Sequence, residues 1–299
     1  MKVTIIGLGL IGGSVAIDLK KRGFASHIMG VDNNALHAHT ALKLSLVDQI
    51  VPFEKGIDDS DLIIMAIPVD ATTRLLPQIL DRVNHQIITD LGSTKEEMIL
   101  TVSTHPKRGQ YVAAHPMAGT EFSGPQAAHS GLFDGKCSII CNPHQSSKEA
   151  VGIVKEMFQT LNMRCIEMDA KVHDAQTAYV SHLSHISAFA LSLTVLQKEK
   201  KDKHIFELAS GGFDSTVRLA KSSAYMWTPI LHQNKKNISK ILQKYIDCLS
   251  QFKDMIDEDN LEGIHQLIDQ SNDIRRVLED KEKKEKETLL KSMRLVRGA

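Results

Sequence analysis

The fold is decided by a glycine-rich stretch at the start of the chain. From Val3 to Ser14 the sequence reads Val-Thr-Ile-Ile-Gly-Leu-Gly-Leu-Ile-Gly-Gly-Ser. Its β-branched beginning is typical of a buried parallel strand, and helical spacing continues after the glycines. In the pattern G-x-G-x-x-G, the first glycine permits a tight turn, the second lets backbone amides approach a pyrophosphate, and the third lets helix and strand pack closely. We therefore predict a strand–loop–helix unit that binds a dinucleotide through Gly7, Gly9, Leu10, Ile11 and Gly12.

A carboxylate at the end of the next strand indicates which dinucleotide to expect. The second apolar run, His27–Val31, ends in Asp32, twenty residues after Gly12. An acidic side chain at this position accepts a hydrogen bond from a ribose 2′-hydroxyl, and it would repel a 2′-phosphate. The neighbouring Asn33 and Asn34 are not basic. We therefore expect NAD rather than NADP as the cofactor.

Strand-like and helix-like segments alternate along the first half of the chain. Further apolar runs occupy residues 61–68, 86–90, 111–114, 136–141 and 164–167, with helical patterns at 71–83 and 147–161. This alternation predicts an α/β, Rossmann-type domain over residues 1–168, with a doubly wound, mainly parallel sheet. The strands of such a sheet end on one edge, so Gly9, Pro68, Ser93 and His115 should line one crevice. We expect Pro68 and Ser93 to contact the cofactor there.

One stretch on that edge stands out for its chemistry. Val112 to Gly124 reads Val-Ala-Ala-His-Pro-Met-Ala-Gly-Thr-Glu-Phe-Ser-Gly. A lone histidine, His115, ends the apolar run, and a proline, small residues and a carboxylate, Glu121, follow. Open α/β sheets hold their functional groups at strand ends and in the following loops. His115 is therefore a candidate catalytic group, and the alternative is that it only caps the strand.

The second half of the chain, residues 169–299, is predicted to be an all-α helical domain. Residues 171–199 read as one long helix, and further helical patterns cover 234–257 and 261–290. His182 and His185 are three residues apart and share a helix face. His173, nine residues before His182, falls about half a turn away and is expected to point elsewhere. The pair lacks a third ligand at matching spacing, so we predict no metal site.

Two other residues of the helical half carry distinctive side chains. Arg218 is placed about one turn into a helix that should begin after the Gly211-Gly212 turn, and arginine is well suited to bidentate carboxylate binding. Trp227 is the only tryptophan, and buried packing is its simplest role. The long helices offer faces for a second copy, so we expect a homodimer through the helical domain.

Composition excludes several classes of partner. The 299 residues carry 36 basic and 36 acidic side chains, a net charge of zero, which gives no footprint for nucleic acid or a membrane surface. The four cysteines form no Cys-x-x-Cys pair and are expected to be reduced. The N-terminal apolar run is too short for a signal peptide, and no run approaches the ~20 apolar residues of a spanning helix. We therefore expect a cytoplasmic protein with a small-molecule substrate.

Taken together, these motifs resemble the prephenate dehydrogenase family of tyrosine biosynthesis over nearly the whole chain. The matching segments are the glycine loop 7–14, Asp-Leu-Gly-Ser-Thr-Lys at 90–95, Ala-His-Pro-Met-Ala-Gly-Thr-Glu at 114–121, Ser-His-Leu-Ser-His at 181–185, and 212–218 with Trp227. The resemblance implies an NAD-dependent oxidoreductase that converts prephenate to 4-hydroxyphenylpyruvate with loss of CO2. It implies that His115 accepts a hydrogen bond from the ring hydroxyl and that Ser93 orients both this histidine and the cofactor. The substrate-binding residues that it implies are His182, His185, Arg218, Trp227 and Glu121, the last of which tunes access.

The chain departs from the family pattern before Arg218. The family often has Phe-Arg-Asp-x-Thr-Arg where this chain has Phe-Asp-Ser-Thr-Val-Arg at 213–218, so the partners of Arg218 stay open. Three rival functions also stay open. They are an arogenate dehydrogenase, a 3-hydroxyacid dehydrogenase (which usually has a lysine on the long helix, where this chain offers His182 and His185), and a non-catalytic NAD-sensing protein.

Overall fold

A single sheet organises the first part of the chain. The computed structural model describes residues 1–200 and 204–297, with side chains as far as residue 280. Within these residues, eight strands form one sheet in the order β3-β2-β1-β4-β5-β6-β7-β8. The strands are β1 (Lys2–Ile6), β2 (His27–Val31), β3 (Gln49–Ile50), β4 (Leu62–Met65), β5 (Ile87–Asp90), β6 (Tyr111–Pro116), β7 (Cys137–Cys141) and β8 (Arg164–Met168).

All neighbouring strands run parallel except β6 and β7, which pair antiparallel. The predicted Rossmann-type, mainly parallel sheet is therefore confirmed. The short edge strand β3 was not predicted, because two residues are too few to show a strand pattern. His115 lies within β6 rather than after it, beside Ile139 of the reversed strand.

Helices cover both faces of the sheet. They are α1 (Leu10–Lys21), α2 (Ala35–Lys43), α3 (Phe53–Asp58), α4 (Val69–Arg82), α5 (Glu96–Thr101) and α6 (Lys148–Thr160). On one face, Val15 of α1 and Val154 of α6 join a fully buried apolar cluster with Val3. On the other face, Ile57 of α3 and Ile79 of α4 join a second buried apolar cluster. Because both faces of the sheet are buried, its strands are rich in β-branched residues, as the sequence indicated.

Helices make up the rest of the described chain. After the sheet come α7 (Ala170–Thr177), α8 (Leu183–Glu199), α9 (Gly211–Val217), α10 (Ala224–Gln233), α11 (Lys235–Asp257) and α12 (Leu261–Arg297). The all-helical part of the chain thus begins at Ala170, next to the predicted boundary of 168/169. The chain nevertheless divides into compact units elsewhere, Met1–Ser239 and Lys240–Ala299, because α7 and α10 pack on α5 and α4. The domain boundary at 168/169 stays a prediction. Residues 201–203 and 298–299 of the predicted helical domain lie outside the described residues.

The predicted long helix is present but contains an irregularity. A π-helical turn, Ala178–His182, joins α7 to α8 without a break. The combined helix, Ala170–Glu199, is long and apolar enough to cross a membrane, contrary to the expectation that no segment would be. We assign no span, because this helix holds the buried polar side chains of His173, Asp174 and His182.

Candidate active site

The glycine loop has the geometry that its sequence requires. Gly7 adopts a φ of +95°, and a Cβ there would lie 2.5 Å from the carbonyl oxygen of Ala66. A Cβ on Gly12 would lie 1.9 Å from the carbonyl oxygen of Gly7, so the helix approaches the loop too closely for any side chain. By contrast, a Cβ on Gly9 would meet nothing within 4 Å. The loop therefore leaves open space at the N-terminus of α1, where Leu10 and Ile11 begin the helix, as phosphate binding requires.

Asp32 lies beside this loop at the end of β2. Its two carboxylate oxygens accept hydrogen bonds from the backbone N–H groups of Leu8 and Asn34, each 2.8 Å long. The side chain thus fixes the start of the glycine loop, a role that sequence reasoning did not assign. A carboxylate has about four acceptor sites, so Asp32 keeps capacity for ribose hydroxyls.

The loops after β4 and β5 reach the same edge of the sheet. Pro68 caps the N-terminus of α4, immediately after β4. Ser93 is half-buried in the turn between β5 and α5. Among the described residues, no hydrogen bond joins Ser93 to His115, so the orienting contact that the resemblance implied is absent from this structure. The inner nitrogen of His115 contacts another residue instead.

That residue is His173, which was expected to point elsewhere. Its Nε2 lies 2.8 Å from Nδ1 of His115, and the ring of His173 is completely buried. The expectation was wrong because it assumed an unbroken α-helix between His173 and His182. The π-helical turn accommodates one extra residue, so His182 follows His173 as though eight residues separated them, about 80° around the axis rather than about 180°.

Burial keeps His115 in its neutral form. The side chain is 8% exposed at the end of β6. Burial, followed by the nearby His173, Lys95 and His182, holds the pKa of His115 well below its ordinary value of 6.5. No described residue bonds its Nε2, and this atom is not among the buried polar atoms that lack a partner. Nε2 therefore lies on the accessible side of a neutral ring, where it can exchange a hydrogen bond with a ligand.

A buried polar network supports this ring from behind. Nδ1 of His173 lies 2.7 Å from Oδ1 of Asp174, whose carboxylate accepts the backbone N–H groups of Lys95 and Glu96 at the start of α5, both at 2.9 Å. The side chain of Lys95 is itself fully buried and forms an ion pair with Asp90. Sequence reasoning missed His173 and Asp174, although an adjacent His-Asp pair at a helix start was a signal for them.

His182 is buried within the site. It is 1% exposed, and burial lowers its pKa to about 4, so the ring is neutral at pH 7. Asn234 Nδ2 donates to the carbonyl oxygen of Asp174 at 2.7 Å and lies 3.1 Å from Nδ1 of His182. Nδ1 is therefore an acceptor, and the proton of the neutral ring is on Nε2. This Nε2 is buried without a partner.

Trp227 connects the two histidines of the predicted pair. His185 stacks on its indole with ring centroids 3.7 Å apart, and His182 meets it edge-on at 5.8 Å. Burial lowers the pKa of His185, partly offset by a hydrogen bond with the carbonyl oxygen of Ser181. The indole Nε1 is buried without a partner, so two N–H donors in this cluster, on His182 and Trp227, lack acceptors. Both nitrogens are closed off from the surface, so in this structure neither can reach a ligand.

Arg218 and Glu121 pair across a sequence separation of 97 residues. Nη1 of Arg218 lies 2.8 Å from Oε2 of Glu121. Arg218 follows helix α9 rather than lying in its first turn, because the Gly-Gly segment begins the helix instead of preceding it. Asp214, the displaced aspartate of this segment, pairs with Lys221 instead. The open question about the partner of Arg218 is thereby answered by Glu121.

The site residues form a connected series of contacts. His115 meets His173, and His182 and His185 both meet Trp227. Arg218 is close enough to His185 to lower the pKa of that ring, and it pairs with Glu121. In the described part of the chain, no group of three or more His, Cys, Asp or Glu side chains is arranged to hold a metal ion. The arrangement offers a neutral acceptor on His115 and the guanidinium of Arg218, which together suit an anionic organic ligand with a hydroxyl group.

Known proteins match this chain along most of its length. The family model for the prephenate dehydrogenase nucleotide-binding domain matches residues 15–167, and the model for its dimerization domain matches residues 169–270. Prephenate dehydrogenase from Bacillus subtilis (strain 168) is 33% identical over 281 residues, which are 92% of this chain and 76% of that protein.

Solved structures agree with these matches. Prephenate dehydrogenase from Aquifex aeolicus, in complex with hydroxyphenyl propionate and NAD+, has a TM-score of 0.85 at 27% identity, covering 93% of this chain and 98% of that one. Synechocystis arogenate dehydrogenase has a TM-score of 0.71 at 25% identity, covering 93% and 100%. The glycine loop, the site and both family models agree with the motifs noted in the sequence, and the chain belongs to the prephenate dehydrogenase family.

Proposed function

We propose that this protein is an NAD-dependent prephenate dehydrogenase. The observation that carries the proposal is His115, a buried neutral histidine whose Nε2 is open on the sheet edge that also holds the dinucleotide loop. The reaction removes a hydride from one ring carbon of prephenate and a proton from the hydroxyl group on that carbon. Loss of CO2 then makes the ring aromatic and returns an electron pair to that oxygen, which takes the proton back from His115 and gives 4-hydroxyphenylpyruvate.

His115 accepts the hydroxyl proton in this scheme. Its neutral ring first accepts a hydrogen bond from the ring hydroxyl, and it takes up the proton as the carbon–oxygen bond acquires double-bond character. A protonated histidine could not accept this bond, so the lowered pKa of His115 keeps it in the active form at neutral pH. Burial also excludes water, which strengthens the hydrogen bond.

Cationic and N–H groups hold the substrate's two carboxylates and its keto group. Arg218 exchanges its pairing with Glu121 for a substrate carboxylate, since the guanidinium can bind either. His185 contributes a ring nitrogen to the substrate, and Trp227, which stacks on His185 and meets His182 edge-on, holds that ring in place. Glu121 acts as a competitor for Arg218 and so tunes substrate access.

The glycine loop and Asp32 suit NAD as the hydride acceptor. The open space at Gly9 fits a pyrophosphate, and Asp32 lies where a ribose hydroxyl would be bound. NAD supplies the electrophilic nicotinamide carbon that takes the hydride. The complex of the Aquifex aeolicus enzyme with NAD+ supports the same cofactor here.

The test is turnover of His115→Asn with prephenate and NAD, followed by NADH absorbance. We expect loss of at least about 99% of kcat, since general base catalysis contributes about 10²–10⁴-fold, with NAD binding retained. A fully active variant would remove His115 from the mechanism. An enzyme that binds NAD but turns over neither prephenate nor arogenate would favour an NAD-sensing role.

Arogenate dehydrogenase is the second candidate, because Synechocystis arogenate dehydrogenase shares the fold at a TM-score of 0.71. Arogenate differs from prephenate by an amino group in place of the keto oxygen. The 33% identity to prephenate dehydrogenase from Bacillus subtilis (strain 168), against 25% to the arogenate enzyme, favours prephenate. Parallel assays with both substrates decide this, and we expect a higher kcat/KM with prephenate.

We further propose a homodimer through the helical domain. Helix α8 leaves Leu193 60% exposed and Leu196 48% exposed. Exposed apolar surface of this kind marks an interaction site. Sedimentation equilibrium should give about twice the chain mass of 33.2 kDa. Leu193→Glu should give the monomer, and a monomeric parent protein would contradict the proposal.

A further inference from the structure

A second histidine and an aspartate stand behind His115 in a linear arrangement. Nδ1 of His115 lies 2.8 Å from Nε2 of His173, and Nδ1 of His173 lies 2.7 Å from Oδ1 of Asp174. The two histidine rings meet edge-on, at 72°. His173 is fully buried and Asp174 is 3% exposed, so no water competes for these bonds.

Asp174 fixes the inner end of this arrangement. Its carboxylate already accepts the N–H groups of Lys95 and Glu96 at the start of α5. A carboxylate offers only acceptor sites. The nitrogen of His173 that faces Asp174 must therefore be the donor, so Nδ1 of His173 carries a proton.

The remaining protons follow from this one. In a neutral imidazole one nitrogen donates and the other accepts, so Nε2 of His173 is an acceptor. Nδ1 of His115 faces that acceptor and must donate to it. The proton of neutral His115 is then on Nδ1, and Nε2, the nitrogen open to the ligand, has a free lone pair.

We propose that His173 and Asp174 are positioning residues that hold His115 in the Nδ1–H tautomer, so that Nε2 is always the acceptor. The proposal rests on the proposed function, because the tautomer matters for turnover only if His115 accepts the hydroxyl proton. It assigns to His173 and Asp174 the orienting role that the sequence resemblance implied for Ser93. A doubly protonated His173 is the alternative: it would donate to His115, place the proton of His115 on Nε2, and leave no acceptor for the substrate.

The first test measures the proton position directly and needs no substrate. In protein with ¹⁵N-labelled histidine, the ring nitrogen signals of His115 are those lost in His115→Asn. At pH 7 we expect the shifts of a protonated Nδ1 and a bare Nε2. A proton on Nε2 in the wild-type chain would overturn the proposal, whether or not any further variant folds.

The second test uses kinetics. His173→Phe keeps a ring but removes both hydrogen bonds, whereas His173→Gln keeps an oxygen that can accept from His115 and an N–H that can donate to Asp174. We expect kcat with prephenate to fall at least tenfold in the Phe variant, with the KM for NAD unchanged, and to recover in the Gln variant. Enforcing the wrong tautomer in a serine protease lowers kcat about 10⁴-fold, which bounds the effect.

His105→Phe is the matched control. It removes another His–Asp pair, in which Nε2 of His105 lies 3.1 Å from Oδ1 of Asp81, and it should leave kcat unchanged. Unchanged kcat in His173→Phe, or a Gln variant no better than Phe, overturns the positioning role. If His115→Asn is inactive in the same series, the proposed function survives that result. If His115→Asn is fully active, the proposed function fails instead, and the nitrogen shifts still decide the tautomer.

Discussion

Replacing Lys95 by methionine tests how strongly the buried ion pair with Asp90 supports the site. Both side chains are completely buried. Methionine fills most of the same volume, so the main loss is the positive charge. Removing one partner of a buried pair costs about 3–5 kcal/mol, because the other charge is left uncompensated.

The contacts of Asp90 refine this figure. The carboxylate keeps hydrogen bonds from the Tyr111 hydroxyl at 2.6 Å and from the Gly92 N–H at 2.8 Å. These two hydrogen bonds stabilise the carboxylate only in part, so the penalty of Lys95→Met should stay at about 3–5 kcal/mol at pH 7.

The assay is urea denaturation followed by the fluorescence of Trp227, which lies in the same compact unit as Lys95. Lys155→Met is the control, since its pair with Glu167 is 40% and 46% exposed and should contribute less than about 1 kcal/mol. Adding Asp90→Asn to Lys95→Met should restore stability, because an asparagine can accept from Gly92 and donate to the Tyr111 hydroxyl. A loss below about 1 kcal/mol, or a double variant no more stable than Lys95→Met alone, would refute the reasoning.

Three further predictions concern activity and cofactor binding. Because burial holds the pKa of His115 well below 6.5 and only its neutral form accepts a proton, the acid limb of kcat should lie below pH 6.5; a limb above that value would contradict the assignment. Arg218→Ala should raise the KM for prephenate about tenfold, as the loss of one charged hydrogen bond does, whereas Lys221→Ala, at an exposed lysine, should leave it unchanged. If the KM of Arg218→Ala equals that of the wild-type protein, Arg218 does not belong to the site. Gly12→Ala should weaken NAD binding at least about tenfold in a fluorescence titration, since its Cβ would lie 1.9 Å from a carbonyl oxygen, whereas Gly152→Ala, with nothing within 4 Å, should bind normally.

Local rules were sufficient to predict the sheet and the glycine loop. Gly7 and Gly12 must be glycine because atoms a few bonds or one strand away leave no room for a side chain. The β-branched runs reflect burial on both faces of the sheet. His115 could be identified for the same reason, because a histidine at a strand end is positioned by that strand. The family motifs then assigned roles to residues that local rules could only locate.

Contacts between distant segments could not be predicted in this way. The partner of Arg218 is 97 residues away. The segment before Arg218, which departs from the family pattern, gave no indication of Glu121. His173 was misplaced because a helical wheel has a constant angle per residue, which the π-helical turn violates. The burial of Lys95 was also hidden, since its motif contains both Asp90 and the lysine but does not show that the two side chains form a buried ion pair.

The π-helical turn at Ala178–His182 makes the length of this segment more critical than its composition. Its backbone holds one residue more than a regular helix would, and most substitutions there leave that count unchanged. Deleting one residue of the turn would restore regular winding and leave the direction of the following residues unchanged, whereas a second deletion would rotate everything that follows by about 100°. After that second deletion His185 would leave the indole of Trp227, although every residue of the site would still be present. This part of the chain should therefore accept many replacements and one deletion in a mutational scan, but not two.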